Sequence, residues 1–191
     1  MKKIKITLAI VCSLLMISAS AQKMEPMKSM TSMNENNSMA QNTGTEFQRQ
    51  LGLVVVAAGE LSAAFLAEDA VKVTGSLKKI IEAINDADMR LLSGKEHMAW
   101  MKYKDALDQQ TEAILSSHTM SRQREIFAAL NNTLHECIGE LGIRNIISYY
   151  QYCPMALNSK GAFWFSNSKD IKNPYLGLQM SGCGSTKEVF Q

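Results

Sequence analysis

The chain has 191 residues, 46% of them hydrophobic and 20% charged, which fits one globular domain of ordinary size with a shorter appendage. Its formal charge of +2 rests on 20 basic against 18 acidic side chains. Three of those lysines fall within the first five residues, so no basic surface remains that would favour nucleic acid.

The appendage is at the front. Lys2, Lys3 and Lys5 precede an apolar run from Ile6 to Ile17, and Ala19-Ser20-Ala21 has the small-x-small pattern of a signal peptidase site. Residues 1–21 are expected to be a cleaved signal peptide, and the exported chain then carries 17 basic and 18 acidic groups, a charge of −1. Cys12 follows Ala9-Ile10-Val11, without the small residue a lipobox needs just before its cysteine, which argues against lipidation. No later window holds the uninterrupted run of about 18 apolar residues that marks a membrane span.

Residues 22–45 are rich in Met, Ser, Asn, Gln, Thr and Lys, too poor in branched and aromatic side chains to offset chain entropy by burial. A disordered arm is expected there. Met24, Met27, Met30 and Met33 would fan around a helix instead of forming a stripe, so they are expected to face solvent.

Between Met27 and Cys153 there is no proline, and apolar residues recur at three and four, which predicts a run of four α-helices. The first is expected from Glu46, where Thr43 and Glu46 have capping-box spacing, through "FQRQLGLVVVAAGELSAAFLA". Asp69 caps a second that buries Val73, Leu77, Ile80, Ile81 and Ile84, and Ser93 with Glu96 opens a third along Trp100, Tyr103, Leu107 and Ile114. Thr119 or Ser121 starts the fourth, with Ile126, Phe127, Leu130, Leu134, Ile138 and Leu141 inward. Short connections make these an up-and-down four-helix bundle, giving a mainly α fold. Residues 145–190 then change character: "NIISYYQYC" and "GAFWF" read as short strands in a loop-rich cap broken by Pro154, Gly161, Pro174, Gly177, Gly182 and Gly184. Arm apart, residues 46–190 form one domain.

That cap concentrates sulfur twice, in "YCPM" and "MSGCG". Polarizable sulfur donors select soft cations such as Cu(I) or Ag(I), so Cys153, Met155, Met180 and Cys183 are candidate ligands. An equally open reading is a structural disulfide between Cys153 and Cys183, natural in an oxidising compartment, and a methionine near aromatic rings is often a gap-filler. Cys137 falls on the apolar face of the fourth helix and reads as a buried, inert thiol. His135 lies about 200° round that helix from it, so the two cannot share an ion. His118, at a helix junction beside Met120, is the better candidate ligand, with an exposed loop histidine as its alternative. The sequence has no Gly-rich phosphate loop and no HExxH, CxxC or GxSxG motif, so no enzyme is expected. Met-x-x-Met spacing in the arm lets thioethers wrap one Cu(I), making Met24, Met27, Met30 and Met33 further candidate ligands; a plain tether is the alternative.

The segment "QYCPMALNSKGAFWFSNSKDIKNPYLGLQMSGCGSTKEV" resembles the domain of unknown function 3347 family, through Cys153-Pro154-Met155-Ala156, Gly161, Trp164, Asn173-Pro174-Tyr175, Gly177, Met180 and Cys183-Gly184. Upstream, "LSAAFLAEDA" and "RQREIFAALNNTL" resemble its helical portion, so the resemblance spans about 46–190. It implies an exported, periplasmic protein and metal handling, because members stand alone or are fused to periplasmic adaptors of heavy-metal efflux pumps. It supplies no catalytic residues. The leading reading is thus a periplasmic Cu(I)/Ag(I)-binding accessory protein, with an efflux adaptor as candidate partner. The alternative is a non-catalytic interaction module whose cap is stapled by Cys153–Cys183 and docks a partner through Tyr149, Tyr150, Trp164 and Tyr175. A small-ligand site between bundle and cap is a third possibility.

Overall fold

A computed structural model describes the backbone of residues 30–191 and the side chains of residues 44–191. The expected signal peptide, Met24 and Met27 lie outside the described residues, as do the side chains of Met30 and Met33. Four long helices, α1 (Met30–Leu66), α2 (Ala70–Asp86), α3 (Gly94–Ser116) and α4 (Met120–Leu141), precede three strands, β1 (Ser148–Cys153), β2 (Ala162–Ser166) and β3 (Ser185–Phe190). The chain is mainly α, as its periodicity predicts.

Cross-links establish the antiparallel order of the helices. Lys79 of α2 meets Glu60 of α1 at 2.6 Å, while the Asp88 amide after α2 donates to Gln50 near the other end of the described part of α1. Tyr103 and Gln110 of α3 bond Glu140 and Thr133 of α4, so one helix runs up as the other runs down. The seams are buried as the three-and-four spacing demands: Val73, Leu77, Ile80 and Ile84 on α2, Trp100, Tyr103, Leu107 and Ile114 on α3, Phe127, Leu130, Leu134, Ile138 and Leu141 on α4. Ile81 and Ile126 are only partly covered.

Two starts differ from expectation. The backbone of α1 is helical from Met30, well before Glu46. Nothing after Pro26 bars propagation, and extending a helix that the core has already nucleated needs no burial of its own. Glu46 is therefore no cap residue; it receives two bonds from the Arg49 guanidinium instead. At α3, Ser93 occupies the N-cap position but makes no side-chain cap bond. Asp69 and Thr119 do cap, accepting from Val71 and Lys72 and from Arg122.

Among the described residues, the stretch Gly44–Leu66 of α1 is the one helix long and apolar enough to cross a membrane. Here most of it is covered by its own molecule, with Phe47, Leu51, Val54, Val55, Ala58, Leu61 and Phe65 fully buried.

The strands form an antiparallel sheet in the order β2-β1-β3, with Tyr150 opposite Phe165 and Cys153 opposite Ala162. β3 pairs with β1 through a bulge between Tyr150 and Gln151. The sequence reading missed β3, because its "STKEVF" is a mostly exposed edge with no alternation toward a core. At the opposite edge, β2 packs against α1 and α4, where Ser62 Oγ donates to the Phe165 carbonyl at 2.7 Å and Asn131 Oδ1 accepts from the Phe165 amide at 2.9 Å. One continuous core joins helices and sheet, so the segment after residue 145 is built into the domain.

Gly75 sits mid-α2 with nothing within 4 Å of the position a Cβ would take. Gly75→Ala is therefore expected to raise stability by about 1 kcal/mol through lower helix entropy cost, read as a higher urea midpoint. A lower midpoint would mean that the position has a neighbour the structure does not place there.

Candidate sulfur site

The four cap sulfur residues come from separate pieces of chain. Cys153 ends β1 and is fully buried; Met155 follows it past Pro154; Met180 closes a 3-10 turn, Leu178–Met180; Cys183 lies just before β3. The fold draws them together. The two thiol sulfurs stand 2.6 Å apart, the Met155 amide faces the Cys183 sulfur, and the Cys183 amide donates to the Met180 carbonyl at 3.1 Å. Met155 and Met180 are 51% and 45% exposed, so neither fills a gap in the core.

A buried asparagine holds this arrangement. Asn173 accepts from the Tyr175 amide across Pro174, an Asx-type turn, and its Nδ2 donates to the Cys183 carbonyl, both at 2.8 Å. Its own amide donates to the Ser181 carbonyl at 2.8 Å. Tyr175 extends the tie by donating its hydroxyl to the Phe163 carbonyl at 2.6 Å. Arg124 of α4 donates to the Pro174 carbonyl and to the Phe65 carbonyl at the end of α1, fastening the loop to the bundle.

Behind the pair, Gln151 is buried with its amide nitrogen directed at the carbonyls of Ser168, Lys169 and Asp170. Gly184, at φ +142, passes so close to Trp164 and the Tyr152 carbonyl that a Cβ would stand 2.9 Å from each. The motif residues thus pack the turn carrying Cys183 onto the strand carrying Cys153.

After Met155 the backbone is left-handed at Leu157, Asn158 and Ser159, with φ of 51°, 59° and 63°. Such a conformation costs about 1–2 kcal/mol per non-glycine residue and persists only where the surroundings enforce it. Here the Gly161 amide closes the turn onto the carbonyl of buried Ala156 at 3.0 Å.

The chemistry of the four donors fits a soft monovalent cation, whereas the spacing of the thiols favours a bond between them. Two sulfurs each about 2.3 Å from one tetrahedral ion stand about 3.8 Å apart, so the pair would have to open by roughly 1 Å to share an ion. Cys183 is the more accessible partner of buried Cys153. Its thiol pKa is raised by the hydrogen bond with Cys153 and then by burial, so the protonated form prevails until a metal or an oxidant takes the proton. Cys137 is a separate thiol, fully buried on α4, and burial with Glu140 nearby pushes it up to about 12.

The other candidates separate from this cluster. His118 is exposed in the turn between α3 and α4. The expected aromatic docking face does not exist: Tyr150, Trp164 and Tyr175 are 5%, 0% and 7% exposed, leaving Tyr149 alone partly uncovered. The face of the sheet that carries Gln151 and Trp164 is covered by the 168–170 carbonyls and by Tyr175, so these positions are interior too. Among the described residues, no three His, Cys, Asp or Glu side chains gather as a metal site.

A groove of about 490 Å³ does open between α4 and the sheet, lined by Asn132, His135, Glu136, Tyr150, Phe163, Lys187 and Glu188. His135 stacks on Tyr150 at 4.2 Å and bonds Glu188 of β3 at 2.8 Å. Nothing in the helical periodicity marks this feature, because it depends on where β3 docks.

No curated protein and no solved structure matches this chain. Residues 59–145 match the model of a family described as protein of unknown function (DUF3347). That stretch ends before β1, so it covers less than the 46–190 read from the sequence and leaves out the sulfur cluster. It does include Ser62, Arg124 and Asn131, the side chains that receive the sheet and its loop. Over residues 59–145, a little under half of its length, the chain is similar to the DUF3347 family that the resemblance of its motifs had pointed to.

Proposed function

We propose that this protein is an exported, periplasmic accessory that binds a soft monovalent cation, Cu(I) or Ag(I), through Cys153, Met155, Met180 and Cys183. The observation that supports the reading is the juxtaposed pair of thiols, with the backbones of two half-exposed methionines, Met155 and Met180, in contact with Cys183. Sulfur donors of this kind hold soft cations and reject hard ones. In this reading Met24, Met27, Met30 and Met33 capture the ion first, and a periplasmic adaptor of a heavy-metal efflux pump is the partner that receives it. No catalytic step is assigned.

The test is anaerobic titration of the thiol-reduced full chain with Ag(I), followed by native mass spectrometry. One retained Ag(I), with affinity at least about tenfold weaker in Met155→Leu/Met180→Leu, a loss of about 1.4 kcal/mol, is the expected result. If the reduced chain retains none, or the double variant binds as well as the parent, the cap is no cation site.

The 2.6 Å thiol separation favours a second reading, in which Cys153 and Cys183 form a permanent staple and the domain is an interaction module. With Tyr150, Trp164 and Tyr175 interior, its docking surface would fall to exposed Met155, Leu178 and Met180. A cap that stays oxidised in the native compartment and binds Ag(I) no better after reduction is the outcome that selects it.

A further inference from the structure

We infer that the Cys153/Cys183 pair is an electron donor as well as a ligand pair, reducing Cu(II) to the Cu(I) that the neighbouring thioethers then hold. The inference rests on the soft-cation reading of the same cluster and adds an activity to it.

Three features carry it. The sulfurs are already 2.6 Å apart, so forming the bond takes only a small movement of the half-buried Cys183 side chain. The backbone around them is held independently of that bond, by Asn173 to Cys183 and by β1 pairing at Cys153, so oxidation requires no refolding. The backbones of Met155 and Met180 both contact Cys183, and their side chains are about half exposed, so soft donors are available within a residue's reach of the pair once the thiols are consumed.

The step balances within the named reactants. Two thiols release two protons and two electrons as one S–S bond forms, and each electron converts one Cu(II) into one Cu(I). The reaction is stoichiometric, one pair of electrons per chain. Cys137 takes no part, because its thiol is fully buried on α4 and burial keeps it protonated at neutral pH.

The experiment uses the full chain, reduced and freed of reductant under argon, then mixed with a Cu(II) salt at neutral pH. The expected result is loss of the Cu(II) paramagnetic resonance signal at about two equivalents per chain, with a mass lower by about 2 Da as the disulfide closes. Cys137→Ser should behave as the parent. Cys153→Ser/Cys183→Ser should leave the signal intact, and so should parent protein oxidised beforehand, which guards against misfolding of the double variant. Retention of both thiols with an undiminished signal overturns the inference, as does equal Cu(II) loss in the double variant. Thiols do not reduce Ag(I), so Ag(I) binding without Cu(II) reduction rejects this inference alone, whereas absence of both rejects the cation reading beneath it.

Discussion

Asn173→Ala is expected to lower unfolding free energy by about 3–5 kcal/mol. Its side chain is fully buried and serves two backbone groups at once, the Tyr175 amide and the Cys183 carbonyl. Alanine removes both partners and supplies none, and each buried group left unmade costs about 1–3 kcal/mol. A small cavity adds to that. The damage should also be directional, because the Asn173 turn presents Tyr175 to Phe163 and Pro174 to Arg124. Urea unfolding of parent and variant, both fully reduced, checks the figure. A loss below about 1 kcal/mol would mean that water replaces the asparagine and that the loop does not depend on it.

Closing the Cys153–Cys183 bond is expected to stabilise the chain by about 3–4 kcal/mol, because it removes the freedom of a loop of roughly 30 residues from the unfolded chain. The native state contributes little to the difference, since the pair is juxtaposed before the bond exists. Urea midpoints of oxidised and reduced parent should therefore differ clearly, while those of Cys153→Ser/Cys183→Ser should not respond to reductant. Coincident midpoints for the two forms of the parent would show that the unfolded chain already keeps the cap residues close.

The helices were legible because each buries one stripe, and a stripe is a local property of sequence. Val73, Leu77, Ile80 and Ile84 specify their face without reference to any partner. The sulfur cluster was legible in membership, since "CPM" and "MSGC" concentrate thiol and thioether, but not in geometry, which depends on Asn173, Arg124 and Gln151 acting across the sheet. The aromatic residues misled for a related reason. Alternation along a strand separates inside from outside only where one face meets water, and in β1 and β2 a loop covers what would have been the wet face. Trp164 is covered by Tyr175 and Gly184, which lie far from it in sequence, and not by its neighbours in β2. The start of α1 escaped for the opposite reason. A helix that continues beyond its core leaves no hydrophobic signature, so composition alone argued against it.

The unequal edges of the small sheet bear on how this molecule behaves in a crowd. An uncovered strand edge is a template for polymerisation, since its free amides and carbonyls accept any extended chain. On β2 that risk is removed: Ser62 and Asn131 occupy the Phe165 carbonyl and amide as a fourth strand would. On β3 the edge is open, but Lys187 and Glu188 stand on it and both are exposed. A parallel, in-register stack of identical copies would bring like charges into register and leave each lysine facing another. The sheet is thus held to three strands by two unrelated devices, mimicry on one side and repulsion on the other, and a chain that sheds the charges of β3 would exchange solubility for fibrous self-association.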